Sequence, residues 1–203
     1  MPTARAEPEN DRWGGFRIVV SLAALMWVIE VVDSIDHHRL DQYGIRPRDA
    51  DGLVGIVAAP FLHAGFGHLI ANTVPLVLMG FAIALKGAGR VLAVTAIVAL
   101  VGGLGTWLVA PAHTLHIGAS GVVFGYATYL LSRGIFDRDL PELAIGVLVG
   151  AIWGTALLSG LLPREGISWQ GHLFGAIGGV VAARMLAPQR QPAPSSRRLE
   201  LKR

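Results

Sequence analysis

Cysteine is absent from this 203-residue sequence. That excludes disulfides, thiolate metal sites and a cysteine nucleophile. Charge is scarce too: Asp, Glu, Lys and Arg make up 15% of the residues, against about a quarter in soluble domains. Too few solvating side chains remain to cover a water-facing surface. Repeats of fixed period are missing as well. The small excess of basic charge, +3, sits beside apolar runs and reads as a topology signal. It gives no reason to expect nucleic acid as a partner.

What is present is apolar length. Hydrophobic residues are 53% of the chain, and 26 residues are glycine, which is common where membrane helices touch. A helix needs ~20 apolar residues to cross ~30 Å of hydrocarbon. Six segments qualify, at about 15–34, 66–86, 91–110, 117–133, 141–161 and 169–187. The expected fold is an all-α membrane protein, a six-helix bundle in a lipid bilayer over residues 15–187. Segment 1–14 precedes it without a signal-peptide cleavage pattern, so the first span is expected to be retained. The Pro- and charge-rich tail 188–203 is expected to be disordered.

An even number of spans puts both termini on one side. Thirteen of the 17 Lys and Arg residues fall on that side, and only Arg39, Arg46, Arg48 and Arg164 on the other. The positive-inside rule then places both termini in the cytoplasm. Spans two, four and six begin at the outer face. The outer loop at about 35–65 is long enough to carry short elements of its own.

Three polar groups now fall at one depth. "HAGFGHLIAN" brings His63, His68 and Asn72 to the start of span two, "GASG" brings Ser120 to span four, and "GHLFGAIGG" brings His172 to span six. Polar groups inside a membrane face the bundle interior and mark function. His68 and Asn72 share a helix face, as do His172, Gly175 and Gly179. Gly121 and Gly125 offer a matching ridge on span four. If the ridges meet, a hydroxyl lies beside an imidazole, the minimum for nucleophilic catalysis. His68, the Asn72 amide and the Ser120 backbone N–H, freed by Gly118 and Gly121, could then serve as oxyanion donors. Each feature alone reads as packing. Zinc at the H-x4-H pair is disfavoured because no carboxylate accompanies it, and "GASG" is not the G-x-S-x-G elbow, since position 122 is valine.

In this order, H-x4-H-x3-N, G-x-S-G and H-x2-G-x3-G resemble the rhomboid intramembrane serine proteases over roughly residues 15–187. The resemblance implies Ser120 as nucleophile and His172 as general base, a dyad without aspartate, and no cofactor or metal. It implies oxyanion contacts from His68, Asn72 and the Ser120 backbone, with Gly118 shaping that backbone. His63, Gly121, Phe124, Gly175 and Gly179 would support the site, with Phe124 stacking on His172. The implied partners are transmembrane protein substrates, and the implied location is a bacterial plasma membrane. One departure is the missing Trp-Arg pair of the first outer loop: "GLVGIVAAP" holds neither residue. Glu30 and Asp33 are expected at the interface rather than behind His172. His37, His38, His113 and His116 are assigned no chemistry. Span five and "LLPREGISWQG" are the expected gate and cap, with Trp169 at the rim. The rival readings are a silent rhomboid-like client-binding protein and a small channel. Because Ser and His are both present, and the polar groups crowd toward one face, neither rival is favoured.

Overall fold

A computed structural model describes residues 11–137 and 140–187. The expected segments 1–14 and 188–203 therefore lie outside the described residues, apart from 11–14. Among the described residues the chain is all helical, with seven α-helices and no strand. They are α1 Arg12–Ile35, the short α2 Gly55–Ala58, α3 Phe66–Ala84, α4 Ala88–Val109, α5 Ser120–Asp137, α6 Leu140–Gly160 and α7 Trp169–Met185.

Each expected span coincides with one long helix to within a few residues. Helix α1 starts earlier than expected because Asp11 caps it, its carboxylate accepting the Gly14 N–H at 2.7 Å. Four helices (α1, α3, α4 and α6) are long and apolar enough to cross a membrane. Their outer faces carry bare apolar side chains such as Val28, Leu92, Leu100, Val147 and Ile152. A soluble protein would not leave such faces in water; they fit a lipid bilayer.

Helix α5 runs through the middle of the bundle, packed most extensively against α7 and then α6. Val122, Val123, Tyr126, Ala127, Tyr129 and Leu130 are all buried along it. The α5–α7 contact is made by backbone. A methyl added at Gly175 would lie 2.1 Å from the Gly121 carbonyl oxygen, and one at Gly179 2.0 Å from that of Gly125. Lipid offers helices no hydrophobic incentive to associate, so close backbone approach through small residues carries the packing. The Thr128 hydroxyl adds a hydrogen bond to Ala176 O at 2.7 Å across the same contact.

The opposite end of the bundle is tied by charge. Glu142 of α6 is buried and lies 2.7 Å from Lys86 Nζ and 3.4 Å from Arg133 Nε. Arg90 donates to Leu186 O at the end of α7, 2.7 Å away.

The connection from α1 to α3 is folded rather than loose, with 3-10 turns at Leu40–Tyr43, Ala50–Val54 and Ala59–Phe61 around α2. Without the Trp-Arg pair, other groups hold it. Arg48 donates to Leu108 O at 3.0 Å and Ala110 O at 2.7 Å, and the Trp107 indole donates to Asp49 O at 2.8 Å. Ile45 and His116 exchange backbone hydrogen bonds of 2.9 and 3.0 Å.

If backbone contact sets the bundle, Gly175→Ala should cost about 1–3 kcal/mol or more, as overpacking does. Gly154→Ala is the matched control, because nothing lies within 4 Å of its added methyl. Thermal unfolding in detergent should show a fall for the first and none for the second.

Candidate active site

Ser120 is the first residue of α5, and His172 lies in the first turn of α7. Helix packing brings them together: Ser120 Oγ is 2.8 Å from His172 Nε2. On the far side of the ring, His172 Nδ1 lies 2.7 Å from the carbonyl oxygen of Gly160, the last residue of α6. A carbonyl only accepts, so the proton is assigned to Nδ1. That leaves the Nε2 lone pair facing the hydroxyl. Phe124 lies one turn beyond Ser120, and its ring stacks on the imidazole with centroids 4.1 Å apart and planes 6° apart. The resulting unit can accept a proton from the serine as the oxygen attacks a carbonyl.

His68 and Asn72 approach the serine from α3. The Ala64 N–H donates to His68 Nδ1 at 3.5 Å, which leaves Nε2 as the donor. Gly118 has φ +108°, and a methyl there would meet His68 Nε2 at 2.8 Å and Asn72 Nδ2 at 3.8 Å. Glycine is therefore needed twice over, for the dihedral and for the space. One N–H of the buried Asn72 amide donates to His68 O at 3.0 Å, and an amide nitrogen carries a second. The Ser120 N–H belongs to the first turn of a helix, where N–H groups lack intrahelical acceptors. Three donors thus converge beside the hydroxyl. These groups line a cleft of about 920 Å³ that also reaches His116, Trp169 and the 163–168 loop. Behind Ser120, against α4, lies a smaller cavity of about 50 Å³ lined by Thr106, His116 and Ser168 among others, large enough for water.

The structure places the other residues of the expected site as follows. Gly121, Gly175 and Gly179 form the α5–α7 contact described above. His63 is fully buried, packs edge-on against His68 at 5.1 Å, and its Nε2 accepts the Ala119 N–H at 3.4 Å. Glu30 and Asp33 stand apart, grouped with His38 and Asp41. His116, to which the sequence assigns no chemistry, lies beside the site. Its Nδ1 lies 2.7 Å from Ser168 Oγ and its Nε2 2.8 Å from Thr114 Oγ1. Ser168 is the N-cap of α7, so His116 ties the loop before Ser120 to the helix that carries His172. A serine just before an apolar helix is a readable capping signal. The Gly160 carbonyl leaves no side-chain signal at all.

Burial, and then the His68 charge, push His63 down to about 4. Unfolded, a histidine titrates near 6.5, so between these values the unfolded chain binds more protons. The neutral His63 contribution is full above about pH 6.5 and is lost as pH falls toward 4, by up to about 3 kcal/mol. Urea or thermal unfolding across that window should show this slope, and His63→Gln should flatten it.

Comparison with known proteins agrees with the architecture. The Rhomboid domain family matches residues 50–189. The chain is 44% identical over 194 residues to the uncharacterized protein Rv1337 of Mycobacterium tuberculosis, covering 90% of this chain and 80% of that protein. It is 45% identical over 202 residues to the uncharacterized protein ML1171 of Mycobacterium leprae, covering 91% and 79%. It is also 32% identical over 127 residues to the Bacillus subtilis protein named "Putative rhomboid protease YdcA", covering 61% and 62%. With the match spanning α3 to α7, and so both helices that meet at Ser120 and His172, the chain belongs to the rhomboid family.

Proposed function

We propose that this protein is an intramembrane serine endopeptidase that cleaves transmembrane segments of other membrane proteins. The observation that carries the reading is the 2.8 Å contact of Ser120 Oγ with His172 Nε2, with His172 Nδ1 held by Gly160 O. Residues 15–187 form the membrane unit, with six spans and both termini in the cytoplasm, so that the cleft opens toward the outer face. A bacterial plasma membrane is the setting, in keeping with the bacterial relatives.

The chemistry follows from the atoms present. His172 Nε2 removes the serine proton as Oγ attacks the scissile carbonyl. The oxyanion that forms is met by the Ser120 N–H, His68 Nε2–H and the Asn72 amide. The imidazolium then delivers its proton to the leaving amine, which departs. Water attacks the acyl-enzyme through the same base, releasing the second product and restoring the serine. A helical substrate buries its carbonyls in its own hydrogen bonds, so it must unwind locally to be cut.

Substrate entry is assigned to α6. Among the long helices it is buried the least, and its main contact is with α5. The loop 161–168 and Trp169 border the cleft as its cap.

Wild-type protein in liposomes with a single-span substrate should release product. Ser120→Ala and His172→Ala should leave none, and Gly118→Ala should lose about 10²–10³ in rate, as loss of an oxyanion donor does. Cleavage by Ser120→Ala sinks the dyad assignment. A folded wild type inert across many substrates would favour the client-binding reading instead.

The gate can be tested separately. With no native cysteine as background, a disulfide joining the outer halves of α3 and α6 should stop cleavage of membrane substrates. Reduction should restore it. Undiminished cleavage in the locked state would place entry elsewhere.

A further inference from the structure

The outer end of α1 carries charge that the proposed mechanism does not use. Glu30 and Asp33 are three apart on one helix face, and they are 0% and 1% exposed. Asp33 Oδ1 accepts the Leu40 N–H at 2.7 Å. Asp33 Oδ2, Asp41 Oδ1 and both carboxylate oxygens of Glu30 have no hydrogen-bond partner among the described residues. His37 and His38 adopt left-handed backbone, φ 56° and 59°, which turns the chain back over the helix end. His38 Nδ1 thereby comes to 3.5 Å from Asp33 Oδ2 and 4.0 Å from Asp41 Oδ2. One ligand atom each from Asp33, His38 and Asp41 lies within 4.8 Å of the others. Glu30 is within electrostatic reach of all three. Among the described residues, no Lys or Arg pairs with any of the three carboxylates; the nearby Arg39 pairs with Asp36 at 3.7 Å.

Three carboxylates converging on one small, largely buried space repel one another, and only His38 and the Ser34 hydroxyl offset the charge of the enclosed Glu30. We propose that Asp33, His38 and Asp41, with the Glu30 charge close by, bind a divalent transition-metal cation of the Zn²⁺ or Mn²⁺ type. Two carboxylate oxygens and one imidazole nitrogen suit those ions better than Mg²⁺, which keeps its waters. Metal–ligand bonds of about 2.0–2.2 Å span at most ~4.4 Å between ligand atoms, so the present spacing needs only a slight contraction. Glu30 and Asp33 come from α1, and His38 and Asp41 from the loop that follows. The cation would pin the start of that loop to the helix, well away from Ser120.

The test uses the full chain in detergent, stripped with EDTA and dialysed, and it does not depend on proteolysis. ZnCl₂ and MnCl₂ are titrated by calorimetry, with MgCl₂ and CaCl₂ for comparison, and thermal unfolding is followed in parallel. The expected result is one equivalent of Zn²⁺ or Mn²⁺ bound, a raised unfolding midpoint, and weaker Mg²⁺ and Ca²⁺. Glu30→Gln should weaken binding, and loss of His38 or Asp41 should weaken it at least about tenfold, the scale set by losing even an outer-shell partner. Should Glu30→Gln fail to fold, His38→Ala and Asp41→Asn decide the matter, since their side chains are 44% and 18% exposed. Absence of Zn²⁺ and Mn²⁺ binding up to millimolar concentration overturns the proposal. So does binding that survives both His38→Ala and Asp41→Asn, which would move the ion to another site such as the His63–His68 pair.

Discussion

Everything at the candidate site depends on two helices touching without side chains between them. At Gly175 and Gly179 the backbone of α7 lies against carbonyl oxygens of α5 so closely that a single methyl has no room. Contacts through long side chains can relax by changing rotamers; contacts through backbone cannot. Ser120 begins one of these helices, and His172 sits one turn before Gly175 on the other. Their 2.8 Å separation is therefore a consequence of packing, fixed before any polar interaction between them is counted. Phe124 and the Ser168–His116 bond refine the ring's position, but they act on a geometry already set.

The histidine's second partner is a neutral carbonyl, and this has chemical consequences. Gly160 O fixes the tautomer and the ring orientation, which are two of the tasks a carboxylate performs in a triad. The remaining task, stabilising the imidazolium, is done less well, because hydrogen bonds to charged acceptors are about twice as strong as neutral ones. An ionised carboxylate at this depth would itself be expensive to bury, so the carbonyl is the cheaper orienting group in a membrane. It also belongs to the last residue of α6. The proposed base is thus steadied by the helix to which we assign substrate entry, so that displacement of α6 would also change the support of the ring.

How much of this could be read in the sequence follows from which atoms carry the information. The helical segments were legible because apolar length is a one-dimensional signal; each of the six appears as one helix, and four of them are long and apolar enough to cross a membrane. The convergence of Ser120, His172, His68 and Asn72 was legible because helical spacing and the small-residue ridges on two spans defined which faces could meet. Gly118 could be suspected from its neighbours, although its φ of +108° and its contact with the His68 ring exist only in three dimensions. The Gly160 carbonyl was invisible, since every residue has one. The sequence gives His116 no role because its partner, Ser168, is 52 positions away and no periodicity links two loops. The anchoring of the α1–α3 connection by Arg48 and Trp107 was hidden for the same reason: a Trp-Arg pair within one loop is a different signal from two residues that reach their carbonyls from different segments.

Where this protein buries a charged or polar side chain, a partner is mostly at hand, and the exceptions are informative. Glu142 is buried against Lys86 and Arg133, while Asn72, Thr128 and His172 all find backbone carbonyls. His63 is kept neutral and accepts from the Ala119 N–H. Against that pattern Glu30, Asp33 and Asp41 stand out: four of the six buried side-chain atoms left without a hydrogen bond among the described residues are carboxylate oxygens gathered in this one place, the other two being Arg46 Nε and His63 Nδ1. A bundle held by backbone contact has little scope to shift and solvate them. His38 balances part of that charge, and the proposed cation would balance the rest, entering between the helix end and the loop without disturbing the packing that sets Ser120 against His172.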